Sequence, residues 1–117
     1  MQYALLIYCN EETEPSPGTR EADDYPRAYF DFTGEVKAKG IHLESAALQP
    51  VATATTVRVR DGKTLTTDGP FAETEERLAG LYLLTCEDLD EALEYAARMP
   101  TANRGSIEVR PVLQFER

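Results

Sequence analysis

The sequence predicts an α+β sandwich in which two helices cover one face of an antiparallel sheet. Three observations lead to this fold class: two apolar strand-like runs, two segments of helical periodicity, and a strong hairpin signal in the middle of the chain. The elements follow in the order strand, helix, strand, hairpin, strand, helix, strand. With 117 residues, 42% of them hydrophobic, the chain has the size of one globular domain spanning residues 1–117.

The two apolar runs predict the central strands. Residues 3–8 read "YALLIY" and residues 78–85 read "LAGLYLLT", and neither run alternates between apolar and polar side chains. Each is therefore expected to be covered on both faces. Residues 41–48 predict a shorter strand, and Pro111, which lacks a backbone donor, predicts that the last strand lies at a sheet edge.

Two segments place apolar side chains at intervals of three and four residues, which predicts amphipathic helices. The first covers residues 25–39, with Asp24 as its cap and Pro26 in its first turn. The second opens at Asp88 and ends at Pro100. Each helix therefore has a start signal that is independent of its periodicity.

The segment before the first helix, residues 10–24, is polar and rich in proline, glycine and acidic residues. Such a composition buries little apolar surface, so its ordering entropy is poorly offset. A long, mobile loop is expected here.

The hairpin signal is the stretch "ATTVRVRDGKTLTT", in which β-branched residues alternate with arginines up to Asp61-Gly62. An Asp-Gly pair is typical of a two-residue type I′ turn. Pairing across that turn sets Arg58 opposite Leu65, so the arginines and the valines are expected on opposite faces.

The two cysteines, Cys9 and Cys86, follow the two strands that precede the helices. These strands are expected to lie side by side and to run parallel, which would bring the two thiols together. Two interpretations stay open: a redox pair or soft metal site, and two free thiols in a reducing compartment.

The charge of the chain excludes some partners. The formal net charge is −9 at pH 7 and the sequence pI is about 4.5, so neither a nucleic-acid nor an anionic-membrane partner is expected. The sequence shows no long apolar run and no signal-peptide pattern at its start. A cytoplasmic protein is therefore expected.

The number of helices predicts that the chain forms an oligomer. Two helices cover only one face of the sheet, whereas the two central strands are apolar on both faces. The second face is expected to be buried against another copy of the chain, which predicts a homodimer. The whole pattern is ferredoxin-like, βαββαβ with an inserted β-hairpin.

Several stretches carry a resemblance to a known family. They are "YALLIY", "VRVRDGKTLTTDGPFAETEERLAGLYLL", "DEALEYAARMP" and "GSIEVRPV". On these motifs the chain resembles the DGPF domain, a branch of the YCII-related family. The resemblance implies a ferredoxin-like dimer of the dimeric α/β-barrel type, and a possible link to sigma factors of the extracytoplasmic-function type. It also implies an enzymatic role resting on a histidine and an aspartate.

The aspartate of that pair corresponds to Asp68. The sole histidine, His42, follows the first predicted helix, whereas the YCII branch places its histidine on that helix. Asp68 and His42 are the candidate catalytic residues, as a base or orienting carboxylate and as a proton shuttle.

The motif Asp68–Phe71, which we call the DGPF turn, has two interpretations. As architecture, Asp68 accepts from a backbone N–H two residues on, Gly69 takes a conformation denied to other residues, and Phe71 anchors the loop in an apolar pocket. As a site, the turn holds the Asp68 carboxylate at the mouth of a dimer cleft.

The remaining candidate site residues surround this turn, and they would contact a ligand: Gly69, Pro70, Phe71, Glu73 and Tyr8. No cofactor and no metal site are predicted, because the acidic residues near the turn do not have the spacing of an EF-hand loop and no second cluster completes a shell. Two functions remain open. One is a small-molecule enzyme or ligand-binding domain at the Asp68 turn, and the other is a non-catalytic regulatory or protein-interaction domain.

Overall fold

A computed structural model describes residues 1–14 and 20–115 and shows two helices and six strands in that part of the chain. The strands are β1 Gln2–Cys9, β2 His42–Ala47, β3 Thr55–Arg60, β4 Lys63–Asp68, β5 Arg77–Thr85 and β6 Ser106–Pro111. The helices are α1 Arg20–Ala38 and α2 Leu89–Arg98. Four strands form an antiparallel sheet in the order β2-β5-β1-β6, and β3 pairs only with β4.

This arrangement confirms the predicted ferredoxin-like α+β fold with an inserted hairpin. Alternate side chains of β1 and β5 face the helices and form the core, because successive residues of a strand point to opposite faces. The buried core residues are Tyr3, Leu5, Ile7, Phe32, Val36, Tyr82, Leu84, Cys86, Ala92, Tyr95, Ala96 and Met99. Pro111 ends β6 at the sheet edge, as expected.

The start of α2 is as predicted and that of α1 is not. Asp88 caps α2, and its Oδ1 accepts from the backbone N–H of Glu91 at 2.9 Å. The first helix begins at Arg20 and contains Pro26, so the predicted start at Asp24 is wrong. A proline removes one backbone hydrogen bond without necessarily ending a helix, which makes Pro26 a misleading start signal.

The predicted loop over residues 10–24 is correspondingly shorter. A 3-10 turn covers Glu11–Thr13, and α1 occupies the end of the predicted loop. Residues 15–19 lie outside the described part of the chain, and the prediction for them stays a prediction.

The two cysteines are far apart, which corrects the expectation that they are neighbours. Strands β1 and β5 lie side by side but run antiparallel, so their final residues lie at opposite ends of the sheet. Cys9 pairs with Arg77, while the backbone N–H of Cys86 donates to the Met1 carbonyl at 2.8 Å. Burial raises the pKa of Cys9 to about 12 and that of Cys86 to about 11, so both thiols are neutral at physiological pH.

The predicted hairpin is confirmed in turn and register. Asp61 and Gly62 have φ angles of 51° and 75°, the positive values that a type I′ turn requires, and Arg58 pairs with Leu65. The hairpin stands away from the main sheet, and Val57 on it is 60% exposed. The radius of gyration, 16.3 Å, is accordingly larger than the value of about 13 Å expected for a compact chain of this length.

The second face of the main sheet is less covered than the first. Leu6, Leu81 and Leu83 point to this face, and each is only partly buried. The molecule is correspondingly thin, with principal extents of 49 × 47 × 19 Å. None of the helices in residues 1–14 and 20–115 is both long enough and apolar enough to span a membrane.

The contrast between core and hairpin gives a stability prediction. Val36→Ala, at a side chain that is 0% exposed, is expected to lower the free energy of unfolding by about 1.5 to 3 kcal/mol, because two buried methyl groups are lost. Val57→Ala is the matched control, with an expected change within about 0.5 kcal/mol. Urea unfolding measures both. Equal losses would mean that the hairpin packs against another surface in solution.

Candidate functional site

A cavity of about 450 Å³ lies between α1 and the helix-facing side of the sheet. We call it the α1 cavity. Its lining is mostly apolar with a few polar groups: Ile7, Glu14, Tyr25, Pro26, Tyr29, Ser45, Ala46, Ala47, Ala79, Gly80, Tyr82 and Thr101. A concave, mostly apolar space with a small number of convergent polar side chains is the usual form of a ligand site.

Two tyrosines of α1 converge on one threonine. The hydroxyl of Tyr29 donates to Oγ1 of Thr101 at 2.6 Å, and the backbone N–H of Thr101 donates to the Tyr29 oxygen at 3.3 Å. The hydroxyl of Tyr25 bonds to the same Oγ1. Thr101 is 1% exposed and belongs to the 3-10 turn Pro100–Asn103. These bonds tie that turn to α1 across one end of the cavity.

The spacing of these residues on α1 explains why they meet. Tyr25, Tyr29 and Thr33 follow each other at intervals of four, which places them on one side of the helix. The Thr33 hydroxyl donates to the Tyr29 carbonyl at 2.8 Å, so its oxygen accepts from the hydroxyl of Tyr82 on β5. The rings of Tyr29 and Tyr82 are stacked, with centroids 6.3 Å apart.

Burial keeps the cavity phenols neutral. It raises the pKa of Tyr29 well above its usual range, and it raises that of Tyr25 as well. Thr101 Oγ1 accepts from Tyr29, and either hydroxyl of the Tyr25–Thr101 pair can be the donor in the second bond. When Thr101 is the donor, the phenolic proton of Tyr25 is available to the cavity.

Glu14 supplies an acceptor to the same space. Its Oε2 atom is buried and has no hydrogen-bond partner among the residues that the structure describes. After burial, a hydrogen bond between the Cys9 side chain and the Glu14 carboxylate is the next cause of the raised pKa of Cys9, and the Glu14 charge also raises the pKa of Tyr25. An unpaired buried acceptor costs about 1 to 3 kcal/mol or more, and a donor on a ligand would remove that cost.

A serine and the sole histidine form a pair at the cavity wall. The Nε2 atom of His42 lies 2.9 Å from Oγ of Ser45, and Ser45 lines the α1 cavity. Residues three apart on a regular strand point to opposite faces. The register of β2 shifts between His42 and Glu44, and this irregularity lets the two side chains meet.

The DGPF turn lies elsewhere, at the base of the hairpin. Asp68 ends β4 opposite Thr55 and is exposed. The expected bond from a backbone N–H two residues on is not formed, because that residue is Pro70, which has no N–H. The turn is held instead through Gly69, whose N–H donates to the Ala54 carbonyl at 2.7 Å and whose carbonyl accepts from the Thr56 hydroxyl at 2.8 Å. Gly69 has a φ of 101°, as expected of a glycine there.

A second cavity, of about 550 Å³, adjoins this turn. We call it the turn cavity. It is lined by Tyr8, Pro70 and Phe71, together with the connection between β2 and β3. Phe71 is 76% exposed, which corrects the expectation that it is anchored in an apolar pocket, because the hairpin stands away from the sheet.

The structure therefore brings together only part of the predicted site. Tyr8, Pro70 and Phe71 share the turn cavity, whereas neither Asp68 nor His42 lines either cavity. His42 opens β2 at the end remote from the turn, across a strand about 17 Å long. Glu73 is exposed beside the turn, and no three described His, Cys, Asp or Glu side chains converge as metal ligands.

Comparison with known proteins agrees with this fold. A family model described as the YCII-related domain matches residues 1–116. The chain belongs to the YCII-related family. An uncharacterized protein of Rhizobium meliloti (strain 1021) is 41% identical over 124 residues, an alignment that covers 99% of this chain and 95% of that protein. The similarity therefore extends over nearly the whole length of this YCII-related chain and of that relative.

Sequence reasoning missed most of the groups in the α1 cavity of this YCII-related domain. The missed groups are Glu14, Tyr25, Tyr29, Ser45 and Thr101. One signal was present: tyrosines four residues apart on an amphipathic helix place two hydroxyls on its buried side. No comparable signal marked Glu14 or Thr101, because each meets the tyrosines only in the folded chain.

The tyrosine cluster gives a second stability prediction. Tyr29→Phe is expected to lower the free energy of unfolding by about 1 to 3 kcal/mol, because it leaves the buried Thr101 N–H unpaired. Tyr3→Phe is the matched control, since its hydroxyl donates only to the Met1 sulfur at 3.8 Å, with an expected loss under about 1 kcal/mol. Denaturant unfolding measures both. Similar losses in the two variants would show that the Thr101 bonds contribute little.

Proposed function

We propose that the protein binds a small, largely apolar molecule in the α1 cavity. The observation that supports this most directly is the buried Glu14 oxygen, which has no hydrogen-bond partner among the described residues and lines a mostly apolar space. The volume of about 450 Å³ falls within the usual range for small-molecule sites. Glu14 would accept from the ligand, and Tyr25 would donate to it.

The charges around the cavity restrict the class of ligand. A carboxylate inside the cavity and a net charge of −9 on the chain both oppose an anion. The phenols stay neutral and therefore provide dipoles rather than charge. The expected ligand is neutral or cationic, with one donor group on an apolar body.

A thermal-shift screen tests this function with three proteins: wild type, Tyr25→Phe and Asp68→Asn. The panel contains small alcohols, phenols, amides and amines, with carboxylates and phosphates as the anionic set. A ligand at about 100 times its Kd adds about 2.7 kcal/mol, a rise of about 10 °C in Tm. We expect a neutral or cationic compound to stabilise wild type and Asp68→Asn, and Tyr25→Phe much less.

The same screen tests the alternative site at the DGPF turn. Tyr8, Pro70 and Phe71 line the turn cavity, and the exposed Asp68 lies beside it. A ligand held there would stabilise Tyr25→Phe as strongly as wild type and would lose its effect in Asp68→Asn. That result would mean that the ligand binds at the DGPF turn and not in the α1 cavity.

The proposed assembly is a homodimer formed through the second face of the sheet. Leu6, Leu81 and Leu83 lie in the centre of this face, and their partial exposure supports burial against another copy. Exposed Glu108 and Arg110 flank them on β6 with opposite charges, which suits a self-complementary interface.

Sedimentation of three proteins tests the dimer. Wild type and Val57→Glu are expected to sediment as dimers, because Val57 lies on the projecting hairpin. Leu83→Glu is expected to sediment as a monomer, because it places a charge in the centre of the proposed interface. A monomeric wild type, or a dimeric Leu83→Glu that remains folded, would contradict this interface.

A non-catalytic regulatory domain is the second candidate function. The hairpin supports it, because Val57, Val59 and Leu65 are at least half exposed on an element that stands away from the main sheet. A sigma factor of the extracytoplasmic-function type is the partner that the family resemblance suggests. A small molecule that binds the α1 cavity with the expected dependence on Tyr25 would decide against this candidate.

A further inference from the structure

We propose that Ser45 and His42 are a nucleophile and its general base, and that the protein hydrolyses small, largely apolar carboxylic esters in the α1 cavity. The proposal rests on the function proposed above, since it uses the same cavity. It adds a reaction to binding and assigns a role to the one histidine of the chain.

The geometry of the pair satisfies the first requirement for nucleophilic catalysis. The distance of 2.9 Å between Ser45 Oγ and His42 Nε2 allows the hydroxyl to donate to a neutral imidazole whose proton is on Nδ1. Ser45 lines the cavity and His42 does not. The hydroxyl therefore stands between the base and the ligand, which is the order that proton removal from a nucleophile requires.

The register irregularity in β2 is what creates the pair. His42 pairs with Leu84 and Glu44 pairs with Leu83, so Leu43 is an extra residue with no partner of its own on β5. Without it, His42 and Ser45 would point to opposite faces of the sheet. Such irregularities re-aim side chains and are common beside active sites.

Tyr82 positions the imidazole. Its ring meets the His42 ring edge to face, with centroids 6.2 Å apart and an interplanar angle of 80°. Tyr82 is itself fixed, because its hydroxyl donates to Thr33 and its ring packs edge to face on Phe32. A ring held on one side by an immobile aromatic keeps Nε2 directed at Ser45.

The reaction needs only the ester and water. Ser45 Oγ attacks the ester carbonyl carbon, and its proton passes to His42 Nε2. The bond from the carbonyl carbon to the alcohol oxygen then breaks, and His42 returns the proton to the departing alkoxide. A water molecule next attacks the acyl group, gives a proton to His42, and releases the acid while Ser45 Oγ recovers its proton.

Two other cavity side chains have roles in the proposed hydrolysis. Tyr25 lines the cavity, and when its hydroxyl accepts from Thr101 its own proton donates to the carbonyl oxygen as negative charge develops there. Glu14 accepts from a hydroxyl or amino group of the substrate. The favoured substrate is therefore a small ester that also carries a hydrogen-bond donor.

Covalent labelling tests the nucleophile directly. The probe is a small alkyl fluorophosphonate, which forms a bond from phosphorus to the serine oxygen as fluoride leaves. We expect mass spectrometry to locate one adduct on Ser45 of the wild-type protein. Labelling should fall by about 100-fold or more in His42→Gln and be unchanged in Ser106→Ala, a matched serine that does not line the cavity.

Hydrolysis of p-nitrophenyl acetate is measured in parallel. We expect kcat/KM to fall to background in Ser45→Ala, by about 100-fold or more in His42→Gln, and not at all in Ser106→Ala. Thermal melting of each variant verifies that the fold is retained. Ser45→Ala should also keep the ligand-induced rise in Tm found for wild type, because it leaves Glu14 and Tyr25 in place.

The outcomes separate hydrolysis from binding. An adduct on another residue, or hydrolysis that survives Ser45→Ala, overturns the proposal. A ligand that stabilises the wild type with no adduct on Ser45 overturns hydrolysis and leaves the binding function standing. Absence of ligand stabilisation, adduct and turnover overturns both.

Discussion

The antiparallel pairing of β1 with β5 is the constraint on which the rest of this structure depends. These strands lie at the centre of the sheet, and their alternate side chains form the layer against which both helices pack. The same pairing leaves β2 and β6 as edges and sends Cys9 and Cys86 to opposite ends. It also defines the floor of the α1 cavity, through Ile7 and Gly80, which face each other across the two strands.

The elements of this fold were predictable from local signals, whereas their directions were not. Asp88 marked a helix start and Asp61-Gly62 marked a turn, because both act over a few residues. Pro26 led to a wrong predicted start of α1 for the same reason, since a proline shows only that one backbone N–H is missing. The error over the cysteines concerned the relative direction of two strands. That direction is determined by the connections between the strands, and the composition of the strands carries no information about it.

The candidate site was the less predictable part. Tyr25 and Thr101 are 76 positions apart and meet only because the turn after α2 packs against α1. His42 and Ser45 are close in sequence, yet the contact between their side chains depends on a one-residue irregularity in β2 that no side-chain pattern indicated. The distinctive motif at Asp68 pointed to the hairpin, although the α1 cavity lies on the opposite side of the sheet.

The floor of the α1 cavity is made largely of residues with little or no side chain: Ala46, Ala47, Ala79 and Gly80. A methyl group added to Ala47, which pairs with Gly80 on the helix-facing side, would reduce its volume without changing the backbone pairing. Gly80 is the exception, because a Cβ there would lie 2.7 Å from the Ala46 carbonyl oxygen. A ligand bound there as proposed would accordingly be limited in size by the alanines, while Gly80 is required by the close approach of the Ala46 backbone.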